Sequence, residues 1–125
     1  MNIRKWLSAL MLAASVVFVT GAACRSDETP DKAFSEWTAA VAAGNLARAN
    51  ELTAKGNPMG QLLNAFLVEG VKSNPQIAAA LRRTEVISFT IDGDRAKVKF
   101  KNADGDIKFF DMVREDGRWK IDPKE

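Results

Sequence analysis

Histidine and tyrosine are missing from this chain, and cysteine occurs once. Without histidine there is no Ser–His or Cys–His couple, no imidazole general base and no mixed cysteine–histidine zinc site. Without tyrosine there is no phenolic donor for an oxyanion. The one cysteine, Cys24, has no partner for an internal disulfide. The eight glycines stand singly, at helix ends, in turns or within one helix, so no glycine-rich phosphate loop exists. A charge excess is also lacking where it would matter. Of the 18 Lys and Arg, Arg4 and Lys5 precede an apolar run and all 16 acids follow it, so the chain is neutral from Cys24 onward. A neutral body is poorly suited to neutralising phosphates, which excludes a general nucleic-acid binder. The expectation is a protein with no catalytic residue, no cofactor and no metal.

What is present begins with an address. Met1 to Lys5 is a short positive segment, Trp6 to Val19 is uncharged and apolar, and Gly21, Ala22 and Ala23 are small. This is the pattern of a secretory signal peptide over residues 1–23. A retained membrane helix is the competing reading, but spanning takes ~20 apolar residues and this run is a little short. Gly21-Ala22-Ala23-Cys24 resembles a bacterial lipoprotein signal, in which the cysteine is lipidated, with acyl chains such as palmitate, and becomes the new N-terminus. The same small residues suit ordinary signal peptidase, which would leave a soluble periplasmic or secreted protein. An exposed unpaired thiol is a liability in an oxidising compartment, which favours lipidation of Cys24. With Arg25 after the cysteine, the resemblance implies the periplasmic side of the outer membrane over the inner. Residues 24–30 then form the lipidated N-terminus and a polar tether.

Residues 31–125 read as a single α+β domain, with helices over 31–83 and a sheet over 84–122. Thr29-Pro30, Asn57-Pro58 and Asn74-Pro75 each pair a capping residue with a proline suited to the first helical turn. Phe34, Trp37 and Val41 share a face of the first helix, which Gly44 ends. Asn45 opens a short second helix carrying Leu46, Ala49 and Leu52. The third carries a broad apolar stripe of Met59, Leu62, Leu63, Phe66, Leu67 and Val71, and the fourth spans Ile77 to Leu81.

Near Thr84 the apolar period changes from 3.6 to 2. Four strands follow, separated by "DGD", "ADGD" and "DG". Turn length decides which residues share a face. A three-residue loop, Ala103-Asp104-Gly105, pairs Val98 with Phe110 and Ala96 with Met112, whereas a two-residue loop would set Val98 against Asp111. An Asp116-Gly117 turn pairs Met112 with Ile121 and Arg114 with Trp119. These registers predict one inner face of Ile87, Phe89, Ile91, Ala96, Val98, Phe100, Phe110, Met112, Trp119 and Ile121, covered by the helices.

"AFSEWTAAVAAGNLARANEL" and "AKVKF…MVREDGRWKID" make the chain resemble the nuclear transport factor 2-like (cystatin-like) superfamily, and within it a family of bacterial lipoproteins with no assigned activity. The resemblance implies N-terminal helices packed on a four-stranded, curved antiparallel meander sheet. It also implies a pocket between sheet and helices, and dimers through the outer sheet face.

Four candidate sites follow. Trp37, Phe66, Phe110, Met112 and Trp119 are placed to line a small apolar cavity, with core packing as the competing reading. Val86, Ile107, Phe109 and Val113 share the outer face and mark an interaction surface if exposed. Glu85, with Lys108 across Phe100 from it, is the one residue left for an enzyme, against the alternative of a rim charge. Arg95, Lys97, Lys99 and Lys101 alternate along the second strand as a solvated stripe open to anionic lipid. The expected function is a non-catalytic cell-envelope lipoprotein acting as a protein-interaction or structural module, anchored through Cys24. A small apolar ligand-binding module is the alternative, and a minimal enzyme using Glu85 a lesser one.

Overall fold

The computed structural model describes residues 28–124. Residues 1–23, read above as a signal peptide, and Cys24 lie outside the described residues. Four helices, α1 (Pro30–Ala42), α2 (Leu46–Glu51), α3 (Pro58–Ser73) and α4 (Pro75–Arg82), precede four strands, β1 (Glu85–Asp92), β2 (Arg95–Lys101), β3 (Ile107–Glu115) and β4 (Arg118–Ile121). The fold is α+β, and the strands form one antiparallel meander in the order β1-β2-β3-β4.

The capping residues act as their chemistry requires. The side-chain oxygens of Asn45, Asn57 and Asn74 accept from the backbone N–H groups of Arg48, Gly60 and Gln76, satisfying donors that a helix start leaves open. Thr29 occupies the cap position of α1, but its hydroxyl donates to the Asp31 carboxylate and caps no backbone N–H. Gly44, with φ +74°, ends α1 in the left-handed conformation.

The turns set the sheet register. Asp116 and Gly117 both have positive φ, 52° and 77°, as a type I′ hairpin demands. Val98 faces Phe110, Ala96 faces Met112, Met112 faces Ile121 and Arg114 faces Trp119, as the three-residue and two-residue loops predict. The outer edge of β4 is closed. Ile121 donates to the Leu52 carbonyl at 2.8 Å and accepts from the Ala54 N–H at 2.9 Å, while the Trp119 N–H donates to the Glu28 carboxylate at 3.0 Å. Glu28 falls in the stretch read from the sequence as a polar tether, and its carboxylate is held against the sheet.

The inner face differs from expectation at β1. Val86 pairs with Phe100, yet Ser88 pairs with Lys99, so Ile87 is an extra residue in a β-bulge. Past that bulge the strand's parity changes. Val86 packs against the core and Ile87 is exposed, reversing the faces expected for both. Ile91 keeps the inner parity, but it stands at the strand's open end and is also exposed.

The core lies between α1 and strands β2–β4. Phe34 sits 5.0 Å from Phe100 and 5.4 Å from Phe110, ring centre to ring centre, and Trp37 stacks on Phe110 at 5.3 Å. Val41, Val98, Met112 and Ile121 are fully enclosed. The third helix also differs from its predicted stripe. Its buried face is Gly60, Asn64 and Val68, flanked by half-buried Leu63, Leu67 and Val71, while Met59, Leu62 and Phe66 face solvent.

Candidate functional site

Of the five residues expected to line an apolar cavity, four are brought together and one is not. Trp37, Met112 and Trp119 are buried and Phe110 packs beside them. They belong to the hydrophobic core packed between α1 and the sheet. Phe66 is 74% exposed on the far side of α3 and faces away from that core. The Trp37 indole N–H donates to the Asn64 side-chain oxygen at 2.7 Å, and the Asn64 amide donates to Asn50 Oδ1 at 2.9 Å and Thr53 Oγ1 at 2.8 Å. A buried polar side chain must find such partners, and this one ties α1, α3 and the end of α2 with the segment after it together.

The outer sheet face has a paired half and an unpaired half. Arg95 meets Asp122 at 2.8 Å and Lys97 meets Asp111 at 2.9 Å. Beyond them, Phe109 is 57% exposed opposite Lys99, and Ile107 is 46% exposed opposite Lys101. Lys99 and Lys101 make no ion pair among the described residues. Val113 is half-buried and Val86 has turned inward, so the four-residue outer patch reduces to Ile107 and Phe109. A second apolar patch lies on α3, where Met59, Leu62 and Phe66 recur at i, i+3 and i+7. Asn64 was the available signal for it. A polar residue in register with Gly60 and Val68 marks the face that finds partners inside and leaves Leu62 and Phe66 outside.

Glu85 stands exposed at the start of β1, in register with Lys101, and neither Glu85 nor Lys108 has a hydrogen-bond or ion-pair partner among the described residues. The cross-strand neighbour of Glu85, Lys101, makes no hydrogen bond or ion pair with it among the described residues. Arg114, the other charge of inner parity, lies 4.5 Å over the Trp119 ring and donates to the Gly93 carbonyl at 2.9 Å, which gives it a packing role. Among the described residues no cluster of acids could hold a metal ion, and no helix is long and apolar enough to cross a membrane.

Among the described residues, the Asp122 carboxyl has a lowered proton affinity. Burial pushes its pKa up, but hydrogen bonds from Arg95 and Asn57 and the positive charges of Arg95 and Lys124 outweigh that, holding it below the usual 3.8.

A recess of about 710 Å³ opens between α4 and the β2–β3 hairpin. Ile77, Leu81 and Phe100 supply apolar walls, and Arg83, Asn102 and Asp104 supply polar ones. Arg83, Asn102 and Asp104 were not predicted as site residues, because they come from two separate stretches of chain, the end of α4 and the β2–β3 loop, that meet only around this recess.

No protein-family model matches this chain, and no curated protein matches it. Among solved structures, a Campylobacter jejuni protein provisionally described as an NTF2-like transpeptidase is similar over 78% of this chain and the whole of its own, with a TM-score of 0.53 and 14% sequence identity. At that identity the likeness supports the nuclear transport factor 2-like fold and nothing about activity.

Proposed function

We propose that this protein is a non-catalytic interaction module of the cell envelope, carried on a lipid anchor at Cys24, in which exposed apolar surface receives another protein. One observation carries the reading. The core is filled, yet Leu62 and Phe66 on α3 stand 66% and 74% exposed, with Met59 continuing their line and Ile107 and Phe109 repeating the situation on the sheet. Large apolar side chains concentrated in this way mark interaction surfaces, and aromatic ones dominate the energetics of such contacts. Glu85 supplies no support for an enzyme, since it is exposed and unpartnered.

Two measurements test the two halves of the proposal. Intact mass of the protein from its native membranes gives diacylglyceryl and acyl mass on a chain beginning at Cys24; an unmodified full-length chain refutes the anchor. Photo-crosslinking from positions 66 and 109 in the same membranes gives a discrete conjugate, either a dimer or one defined protein, that Leu62→Asp or Ile107→Asp abolishes. Diffuse labelling insensitive to both substitutions refutes the interaction surface.

A further inference from the structure

We propose that the recess between α4 and the β2–β3 hairpin is a binding site for a small zwitterion with an apolar side chain, namely an apolar amino acid or a short peptide of such residues. It adjoins the α3 surface at Ile77, which also lines the groove beside Phe66, but it does not depend on that surface or the outer sheet face having a partner.

The proposal rests on how charge is arranged around an apolar floor. Arg83 follows the last turn of α4 and Asp104 sits in the hairpin loop, and both line the recess. Neither side chain has a hydrogen-bond or ion-pair partner among the described residues, so the two opposite charges also do not meet each other within 4.0 Å. Opposite charges on facing walls, held apart, are complementary to a ligand that carries a carboxylate at one end and an ammonium at the other. The carboxylate suits the planar donor fork of Arg83. The ammonium suits Asp104.

The hairpin wall is organised in advance. Asn102 Oδ1 accepts from the N–H groups of Asp104 at 3.0 Å and Asp106 at 2.9 Å, and the Asn102 carbonyl accepts from Gly105 at 2.9 Å. Gly105 has φ +87°, which lets the loop close. With its oxygen committed twice, the Asn102 side chain is held, and its amide N–H₂ has no partner among the described residues. This is a fixed second donor on the wall that carries Asp104. Ile77, Leu81 and Phe100 are each half-buried, so they offer apolar area to a ligand side chain without being lost to solvent in its absence. Phe100 is braced from behind by Phe34. A few placed polar groups around an apolar floor are the composition of a small-molecule site.

The test is calorimetric titration of the full chain with L-leucine and with leucyl-leucine, alongside N-acetylleucine, which lacks the ammonium, and leucinamide, which lacks the carboxylate. Hydrogen exchange locates the contact. Arg83→Gln and Asp104→Asn alter side chains that make no internal bonds, so both variants fold. The expected result is saturable binding of at least one zwitterion, weaker binding of both blocked forms, and protection confined to residues 76–84 and 100–106. Arg83→Gln weakens zwitterion binding about tenfold while sparing leucinamide, and Asp104→Asn does the same while sparing N-acetylleucine, as charge-assisted hydrogen bonds require. Binding of leucine identifies a free amino acid as occupant, and binding of leucyl-leucine alone identifies a peptide. No saturable binding of either, equal binding of the blocked forms, or indifference to both variants overturns the proposal.

Discussion

Trp37 and Asn64 are joined by a 2.7 Å hydrogen bond inside the core, with Asn64 fully enclosed and Trp37 4% exposed. Asn64 in turn holds Asn50 and Thr53. Every polar atom of its side chain is therefore used at the junction of α1, α3 and the end of α2 with the chain after it. Substituting Asn64 by Ala leaves the Trp37 N–H buried and unpaired and opens a small cavity. Denaturant unfolding should show a loss of about 2–4 kcal/mol. Trp37→Phe leaves the Asn64 oxygen buried without its donor and should be destabilising as well.

Gly60 packs against that same junction. A Cβ there would lie 2.6 Å from Thr53 Cγ2 and 3.3 Å from Pro123 Cδ. Gly60→Ala should destabilise by about 1–3 kcal/mol through overpacking, despite the better helix propensity of alanine. Thr53→Ser removes the offending methyl while keeping the hydroxyl that Asn64 and the Ala49 carbonyl engage. The cost of Gly60→Ala should therefore be smaller in the Thr53→Ser background, which a double-mutant cycle measures.

Asp122 links three segments, receiving Asn57 Nδ2 at 2.6 Å and Arg95 Nη1 at 2.8 Å. Its pKa is lowered in the folded state, so the unfolded chain binds its proton more readily. The stabilisation is thus complete above the ordinary value of 3.8 and is lost as pH falls below it, through the folded-state pKa. Thermal unfolding followed between pH 6 and pH 2 should show a steeper acid loss for the native protein than for Asp122→Asn.

The bulge at Ile87 makes an unusual mutational prediction. Val86 packs on the core and Ile87 is exposed, although regular alternation from Phe89 would put Ile87 inside. Val86→Asp should cost about 2 kcal/mol or more by burying a carboxylate without a partner. Ile87→Asp should stay within about 0.5 kcal/mol, as an ordinary surface change does. Reversal of that order in chemical denaturation would mean that the strand keeps its regular alternation.

Much of the architecture was legible because it is local. The Asn-Pro pairs and Thr29-Pro30 marked where helices begin, since capping and a proline-compatible first turn depend on neighbouring residues alone. Gly105, Asp116 and Gly117 set two hairpin registers for the same reason. A loop's length and its left-handed positions fix strand pairing, and burying Asp111 was the cost of the alternative. Those registers in turn placed Lys97 opposite Asp111 and Arg114 beside Trp119. Less of the candidate sites was legible. Three of the proposed cavity residues are core, Phe66 points outward, and the recess polar groups Arg83, Asn102 and Asp104 carry no pattern along the chain.

By itself, then, the sequence determined the helix starts, the turn geometry, the strand order and the neutrality of the body, because each depends on residues close in the chain or on composition. Tertiary structure alone decided which side of α3 is inside, where β1 bulges, and that the centre is filled. The apolar stripe on α3 is wider than the surface available to cover it, and Asn64 wins the central position through three hydrogen bonds that exist only once α1, α3 and the end of α2 with the segment after it have met. Whether side chains from distant elements close a core or leave a recess is a matter of fit between surfaces, and that fit has no counterpart in any one segment.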